Sequence, residues 1–124
     1  MMLTLIARPI AAALAAAGLV GCASGPIAGR LALPGREPEP VTLRYESSLF
    51  GKTGTLSTLF PNGERFAGSY VLTPQRSEMI SVLSGDRGGA LTCHFKLNEP
   101  GVGPDSGGSV QCRLSTGGTF DATF

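Results

Sequence analysis

The sequence predicts an all-β fold, a small antiparallel sheet or half-open barrel of about six to seven short strands. Three observations predict it. Apolar and polar residues alternate in short runs between residues 41 and 124, Gly and Pro separate these runs, and no run has the period of an amphipathic helix. The best helical candidate is only a turn at 74–78.

The alternating runs carry apolar residues in this order: Val41, Leu43 and Tyr45; Leu56 and Phe60; Phe66 and Tyr70; Ile80 and Val82; Leu91, Cys93 and Phe95; Val110, Cys112 and Leu114; Phe120 and Phe124. Between them, segments 61–63, 85–89 and 115–118 hold the Gly, Asn and Asp residues that hairpin turns require. Because the chain has no Trp, we expect most of its Phe and Tyr residues, including Phe50, in the core.

The N-terminal segment 1–21 has the parts of a secretory signal. A short basic region ends at Arg8, an apolar stretch covers 10–20, and small residues follow. The apolar stretch has only about half of the roughly 20 residues that a membrane-spanning helix needs. We therefore expect an export signal.

The residues that end this segment, Leu19-Val20-Gly21-Cys22, resemble the lipobox of bacterial lipoproteins. The resemblance implies a diacylglycerol thioether on Cys22, cleavage before it, and acylation of the freed amine, and stable anchoring does need more than one chain. In that family an Asp after the cysteine retains the protein at the inner membrane, so Ala23 implies the outer membrane, with the domain facing the periplasm. The alternative is an ordinary signal peptide with a coincidental cysteine.

The domain organisation follows from composition. Residues 22–40 are rich in Gly and Pro, with Pro26, Pro34, Pro38 and Pro40, so we expect the lipidated cysteine and a flexible tether there. The folded β domain is then 41–124, close to the lower size limit for a stable single core.

Charge excludes one class of partner. Loss of Arg8 with the signal leaves nine of the ten basic residues against nine acidic ones. Because nucleic-acid binding depends on clustered Lys and Arg, the balanced chain predicts no nucleic-acid partner. The expected partners are the membrane, through the lipid, and an envelope protein.

Lipidation of Cys22 leaves Cys93 and Cys112 as two thiols in an oxidising compartment, where they should pair. Segments 88–95 and 107–114 echo each other and place the two cysteines at equivalent positions of consecutive strands. If Cys93 lies opposite Cys112, then Leu91 faces Leu114 and Phe95 faces Val110. A disulfide closing a loop of this length contributes roughly 3 kcal/mol.

A second echo relates two hairpins, since Gly54, Gly63, Phe66 and Tyr70 recur at identical spacing as Gly108, Gly117, Phe120 and Phe124. Segment 62–70 resembles the second half of a MORN repeat, a hairpin unit with Gly and aromatic residues at fixed spacing. Lys52 and Thr53 interrupt the first half, and Ala122 replaces a motif Gly in the second copy. The resemblance covers about 20 residues and implies hairpin structure.

Catalytic motifs are incomplete. Segment 105–108 (Asp-Ser-Gly-Gly) resembles the nucleophile loop of trypsin-like proteases, but His94 is expected on the outer face of a strand, and no third group orients it. Segment 101–108 lacks the Lys of a phosphate loop. Glu64, Arg65 and Glu78 are expected on a solvated face. We predict no catalytic residue, no metal site and no cofactor.

Three function classes remain. The first is a lipid-anchored envelope lipoprotein whose β domain is a structural or protein-interaction module. The alternative is a periplasmic lipoprotein that binds a small ligand in a half-open barrel, which requires a concave apolar pocket. A hydrolase is the third class, and it requires convergent polar groups that the motifs do not supply.

Overall fold

The computed structural model describes residues 23–48, 52–73 and 75–124 and shows a closed barrel of eight antiparallel strands. The strands are β1 Ser24–Ala32, β2 Glu39–Ser47, β3 Thr53–Leu59, β4 Arg65–Val71, β5 Glu78–Gly85, β6 Ala90–Leu97, β7 Gly108–Leu114 and β8 Thr119–Thr123. Each strand pairs with the next, and β8 pairs back onto β1. The all-β prediction is confirmed, with slightly more strands than expected and full closure.

The expected tether is the main difference from the sequence prediction. Residues 24–32 form β1, which pairs with both β2 and β8, and β2 begins at Glu39, so most of segment 23–40 belongs to the barrel. The expectation that this segment is flexible is therefore wrong.

Two prolines fit inside strands because of where their nitrogens point. Ser47 donates its N–H to the carbonyl of Ala23, which fixes the alternation of backbone groups along β1 and β2. By that alternation Pro26 faces β8, whose pairing begins only at Gly29, and Pro40 faces β3, whose pairing begins only at Leu43. Neither proline removes a ladder hydrogen bond, which is the condition for Pro in a strand.

Side chains fill the barrel, as an interior of eight strands allows. The inward positions of β1 alternate between large and small residues, with Ile27 and Leu31 fully buried and glycines between them. A Cβ at Gly25 would lie 2.8 Å from Tyr45 Oη, and one at Gly29 would lie 2.7 Å from Phe120 Cζ. These glycines make room for two aromatic rings. Because glycine is not an apolar side chain, β1 does not show the alternation by which the other strands are predicted.

Three hairpin turns share one geometry. In each, the first residue donates its N–H to the carbonyl four positions further on, and its carbonyl accepts the N–H of the residue three positions further on. That last residue is a glycine with a positive φ: 90° at Gly63, 88° at Gly88 and 98° at Gly117. This is the type I turn followed by a left-handed glycine that three-residue hairpin loops favour. All three turns lie at one end of the barrel, together with the β1–β2 turn at 33–38. We call this end the hairpin rim.

The opposite end is the loop rim, where the structure describes the start of β1, residues 48, 52, 72–73 and 75–77, and the connection 98–107. The last of these is the longest and contains a short 3-10 helix, Pro104–Ser106. The two hairpins of the repeated spacing, β3–β4 and β7–β8, both run from this rim and back, and they place Phe66 and Phe120 in the core.

The predicted disulfide register is confirmed. Cys93 and Cys112 are directly opposite on β6 and β7 with an S–S distance of 2.08 Å. Leu91 pairs with Leu114 and Phe95 with Val110.

On β5 the pattern differs from the alternating run. Ile80 and Val82 point outward and are 65% and 56% exposed, while Met79, Ser81 and Leu83 point inward. Cys22 and Phe50 lie outside the described residues.

Candidate functional site

The barrel interior is the first place to look for a ligand site, and it is occupied by the protein's own side chains. Its largest fully buried residues include the aromatic rings of Phe66, Tyr70, Phe95 and Phe120. These rings pack with aliphatic residues and the disulfide into one apolar cluster. The interior therefore serves as the core, and the surface and the rims remain as candidate sites.

A polar cluster closes the barrel at the loop rim. The Tyr45 hydroxyl donates to Asp105 Oδ1 at 2.5 Å, and Tyr70 Oη lies 2.9 Å from Ser47 Oγ in a second hydrogen bond. Burial, the hydrogen bond to Asp105 and that carboxylate's charge raise the pKa of Tyr45 to about 12. Burial also raises the pKa of Tyr70, against the effect of its bond with Ser47. Both phenols are therefore neutral at physiological pH.

The protease-like segment lies in the 98–107 connection, where its side chains have other partners. Ser106 Oγ donates to the carbonyl of Gly103 at 2.7 Å and accepts the N–H of Glu99 at 3.0 Å. Asp105 is the acceptor for Tyr45. These residues hold the connection over the end of the barrel, where Pro104 is buried. We call the hydrogen bonds of Asp105 and Ser106 that fix this connection the clasp.

Glu64 is a buried carboxylate at the hairpin rim, only 8% exposed, and the expectation of a solvated position is wrong. Its Oε2 accepts the backbone N–H of Gly89 at 3.0 Å and of Arg87 at 3.2 Å. The carboxylate therefore connects the β3–β4 turn to the β5–β6 turn. Sequence reasoning missed it because the partners are backbone groups of a distant turn, which no motif indicates.

His94 lies on the outer face of β6, as predicted, and its Nε2 is 3.8 Å from Glu78 Oε2. Both side chains are more than half exposed. Among residues 23–48, 52–73 and 75–124, no three His, Cys, Asp or Glu side chains are grouped as a metal site requires. In the same residues, no helix is long and apolar enough to cross a membrane.

The backbone pairing between β4 and β5 is short, which leaves a gap in the outer face of the barrel. These strands pair through only two residue pairs, Phe66 with Gly85 and Ala67 with Ser84. Further toward the loop rim, the Ser81 hydroxyl donates to the Ser69 carbonyl at 2.7 Å and takes the place of a ladder bond.

A shallow cleft opens at this seam, lined by Val71, Thr73, Arg76, Glu78, Ile80 and His94. Ile80 and Val82 stand exposed on β5 beside it. The outward positions of the neighbouring strand β6 carry Thr92, His94 and Lys96 instead. The strand β5 thus presents the most apolar part of the described outer strand surface.

Of the predicted site residues, the structure brings Cys93 and Cys112 together inside the core. The predicted lipidation residue, Cys22, lies outside the described residues, which begin at Ala23.

No family model matches this chain, and no curated protein or solved structure is significantly similar to it.

Proposed function

We propose that this chain is a lipid-anchored lipoprotein of the bacterial cell envelope whose barrel acts as a structural or protein-interaction module. The filled barrel interior carries the proposal, because it leaves the outer surface and the rims as the parts that can meet a partner. The lipobox-like residues 19–22 supply the anchor, and Ala23 after the cysteine supports the outer membrane.

The same observation argues against the small-ligand alternative. A ligand pocket in a barrel of this size requires an interior free of large side chains. Here Phe66, Phe95 and Phe120 are each no more than 1% exposed inside the barrel. A binding role is therefore placed on the outer surface in this proposal.

The proposal includes no catalytic residue, cofactor, metal or nucleic-acid partner. It is supported by the hydrogen bonds of Asp105 and Ser106, which belong to the clasp of the 98–107 connection, and by the exposed position of His94 on another strand. A nucleophile needs a base within hydrogen-bond reach and a third group to orient it.

The anchor is tested by Cys22→Ser in cells given a radioactive fatty acid. We expect the wild type to be labelled and Cys22→Ser to be unlabelled and uncleaved. The matched control is the double variant Cys93→Ser and Cys112→Ser, which keeps the lipobox and should keep the label. Normal labelling of Cys22→Ser contradicts the proposal. Ala23→Asp tests the location, since we expect that variant to move from the outer to the inner membrane fraction.

The interaction role is tested by a photocrosslinking residue placed on the outer face in intact cells. Position 82 lies on the apolar surface of β5, and position 111 is the matched control on the polar outer face of β7. We expect a discrete crosslinked product from position 82 and none from position 111. Equal products from both positions, or none from either, contradict a specific interaction through β5.

A further inference from the structure

The start of β1 determines how the barrel meets the membrane if Cys22 carries lipid, so this inference rests on the proposed function. Only Ala23 separates Cys22 from the first residue of β1, Ser24. Ala23 is itself held to the barrel, because its carbonyl accepts the N–H of Ser47 at 2.7 Å. The Cα atom of Cys22 is therefore one peptide unit, about 3.8 Å, from a residue fixed to the rim.

This short link allows the barrel much less movement above the membrane than a flexible tether would. An extended linker of 18 residues would span up to about 60 Å and would let the domain turn freely above the bilayer. A link of one residue keeps the loop rim within a few ångströms of the lipid that modifies Cys22. The hairpin rim is then held roughly one strand length, about 25 Å, from the membrane surface.

The loop rim also carries exposed apolar side chains. Val71, at the end of β4, is 66% exposed, and Val102, in the 98–107 connection, is 51% exposed. The two segments touch, since a Cβ at Gly103 would lie 2.7 Å from Leu72 Cδ1. Val71 and Val102 therefore belong to adjacent parts of one rim surface.

The connections at this rim carry Lys52 and Arg76 against Glu99 and Asp105. The adjoining strand ends add Glu46, Glu78 and Lys96, so the charge there is close to balanced. Attraction to anionic lipids is therefore not what orients the barrel. The anchor position and the apolar side chains supply the orientation, since apolar groups enter the boundary between headgroups and acyl chains when they are held at it.

We propose that the loop rim is seated on the lipid surface that holds the Cys22 anchor, with Val102 and Val71 in the interfacial region and the hairpin rim facing away. The occupant of this rim is thus the bilayer itself. The outer face of β5 around Val82 then stands at the side of the barrel, open to a protein partner.

The test uses the full lipidated chain in vesicles of phosphatidylethanolamine and phosphatidylglycerol that contain nitroxide-labelled phosphatidylcholine. In the lipidated chain the Cys22 sulfur is held in the thioether and Cys93 is bonded to Cys112, so one introduced cysteine is the single free thiol for a fluorescent label. Val102→Cys reports the loop rim, Thr116→Cys is the matched control at the exposed tip of a hairpin-rim turn, and Val82→Cys reports the side. Val71→Cys repeats the loop-rim measurement if Val102→Cys unfolds at a lower temperature than the wild type.

We expect the label at 102 to lose emission to the lipid nitroxide and the label at 116 to keep its emission. Stronger quenching at 82 than at 102 means that the barrel lies on its side and overturns the proposal. A label at 102 that is shielded from water but not quenched means that a second copy or another protein covers the rim, which also overturns it. Intact mass separates this result from failure of the proposed function: an acylated chain without quenching at 102 refutes only the orientation, whereas a chain without acyl mass refutes the anchor and the orientation together.

Discussion

At the hairpin rim, four short turns join neighbouring strands, and positive-φ glycines with a buried carboxylate hold them. At the loop rim, the 98–107 connection crosses the end of the barrel and is held by side-chain hydroxyls, chiefly those of Tyr45 and Ser106. The first rim combines local turn geometry with the bonds of Glu64 to a turn 23 to 25 positions away. The second combines the local bonds of Ser106 with the bond between Tyr45 and Asp105, which lie 60 positions apart.

This difference suits the two ends to different tasks. The glycine turns at the hairpin rim are closed by backbone hydrogen bonds, whereas the 98–107 connection also depends on the Tyr45 hydroxyl remaining protonated. The loop rim is also the end at which β1 begins, at Ser24, so that only Ala23 separates this strand from Cys22. The end closed by the Tyr45–Asp105 hydrogen bond is thus the end assigned to the membrane.

The largest expected effect comes from the disulfide, which joins the two strands on either side of the 98–107 connection. Replacing Cys93 and Cys112 together by Ala should lower the free energy of unfolding by about 3 kcal/mol, because the reduced chain gains entropy when unfolded. Hydrogen exchange should increase more at the loop-rim ends of β6 and β7 than at the hairpin rim. Reduced wild-type protein is the control and should lose a similar amount; an unchanged stability in both would contradict the account.

At the hairpin rim, Glu64→Ala should cost about 2 kcal/mol, because it leaves the N–H groups of Gly89 and Arg87 without their acceptor. Glu64→Gln keeps an oxygen acceptor without the charge and should lose about half as much. Denaturant unfolding measures both variants. Equal losses for the two substitutions would show that the charge of the carboxylate matters more than the presence of an oxygen acceptor.

At the loop rim we expect a dependence on alkaline pH. The pKa of Tyr45 is raised from 10.0 in the unfolded chain to about 12 in the barrel. Its contribution to stability is therefore complete below pH 10 and is lost as the pH rises from 10 to 12, by up to about 2 kcal/mol.

The control for this dependence is Tyr45→Phe, which removes the titrating group. Its stability should fall less steeply over the same pH range, although Tyr70 retains a smaller dependence in the same direction. Thermal unfolding at each pH measures the difference between the two proteins. Parallel curves for wild type and variant would exclude Tyr45 as the cause.

The smallest effects are expected from the residues that resemble catalytic ones. Ser106→Ala should lower stability by about 1 kcal/mol, because it removes the bonds to Gly103 and Glu99, and exposed His94→Ala should change it little. Neither should change the cellular role beyond that loss of stability. Loss of a measurable hydrolytic turnover in the double variant, with thermal unfolding preserved, would revive the hydrolase alternative.

The parts of the fold that sequence predicts are those with local signals. Alternation and turn residues indicate the strands from Val41 onward, and the echo around the two cysteines gives the β6–β7 register because identical spacing places Cys93 and Cys112 opposite each other. Strand β1 escapes prediction because Pro26 and the inward glycines mask its alternation. Their compatibility with a strand depends on the length of β8 and on the rings of Tyr45 and Phe120, which are distant in sequence.

The candidate surfaces follow the same division. A lipidation motif is local and can be recognised from four residues, whereas the buried position of Glu64 and the clasp of Tyr45 with Asp105 depend on the closed barrel. The sequence also does not show that Ile80 and Val82 point outward. Their inward neighbour Ser81 is polar, and only its bond to the Ser69 carbonyl explains its burial.

The intact mass of the protein extracted from membranes decides whether Cys22 carries the lipid anchor. The account predicts a chain that begins at Cys22 and carries a diacylglycerol group on its sulfur and an acyl group on its amine, with two hydrogens fewer than the reduced chain because Cys93 is bonded to Cys112. A chain that begins at another residue, or one that begins at Cys22 without lipid, would contradict it.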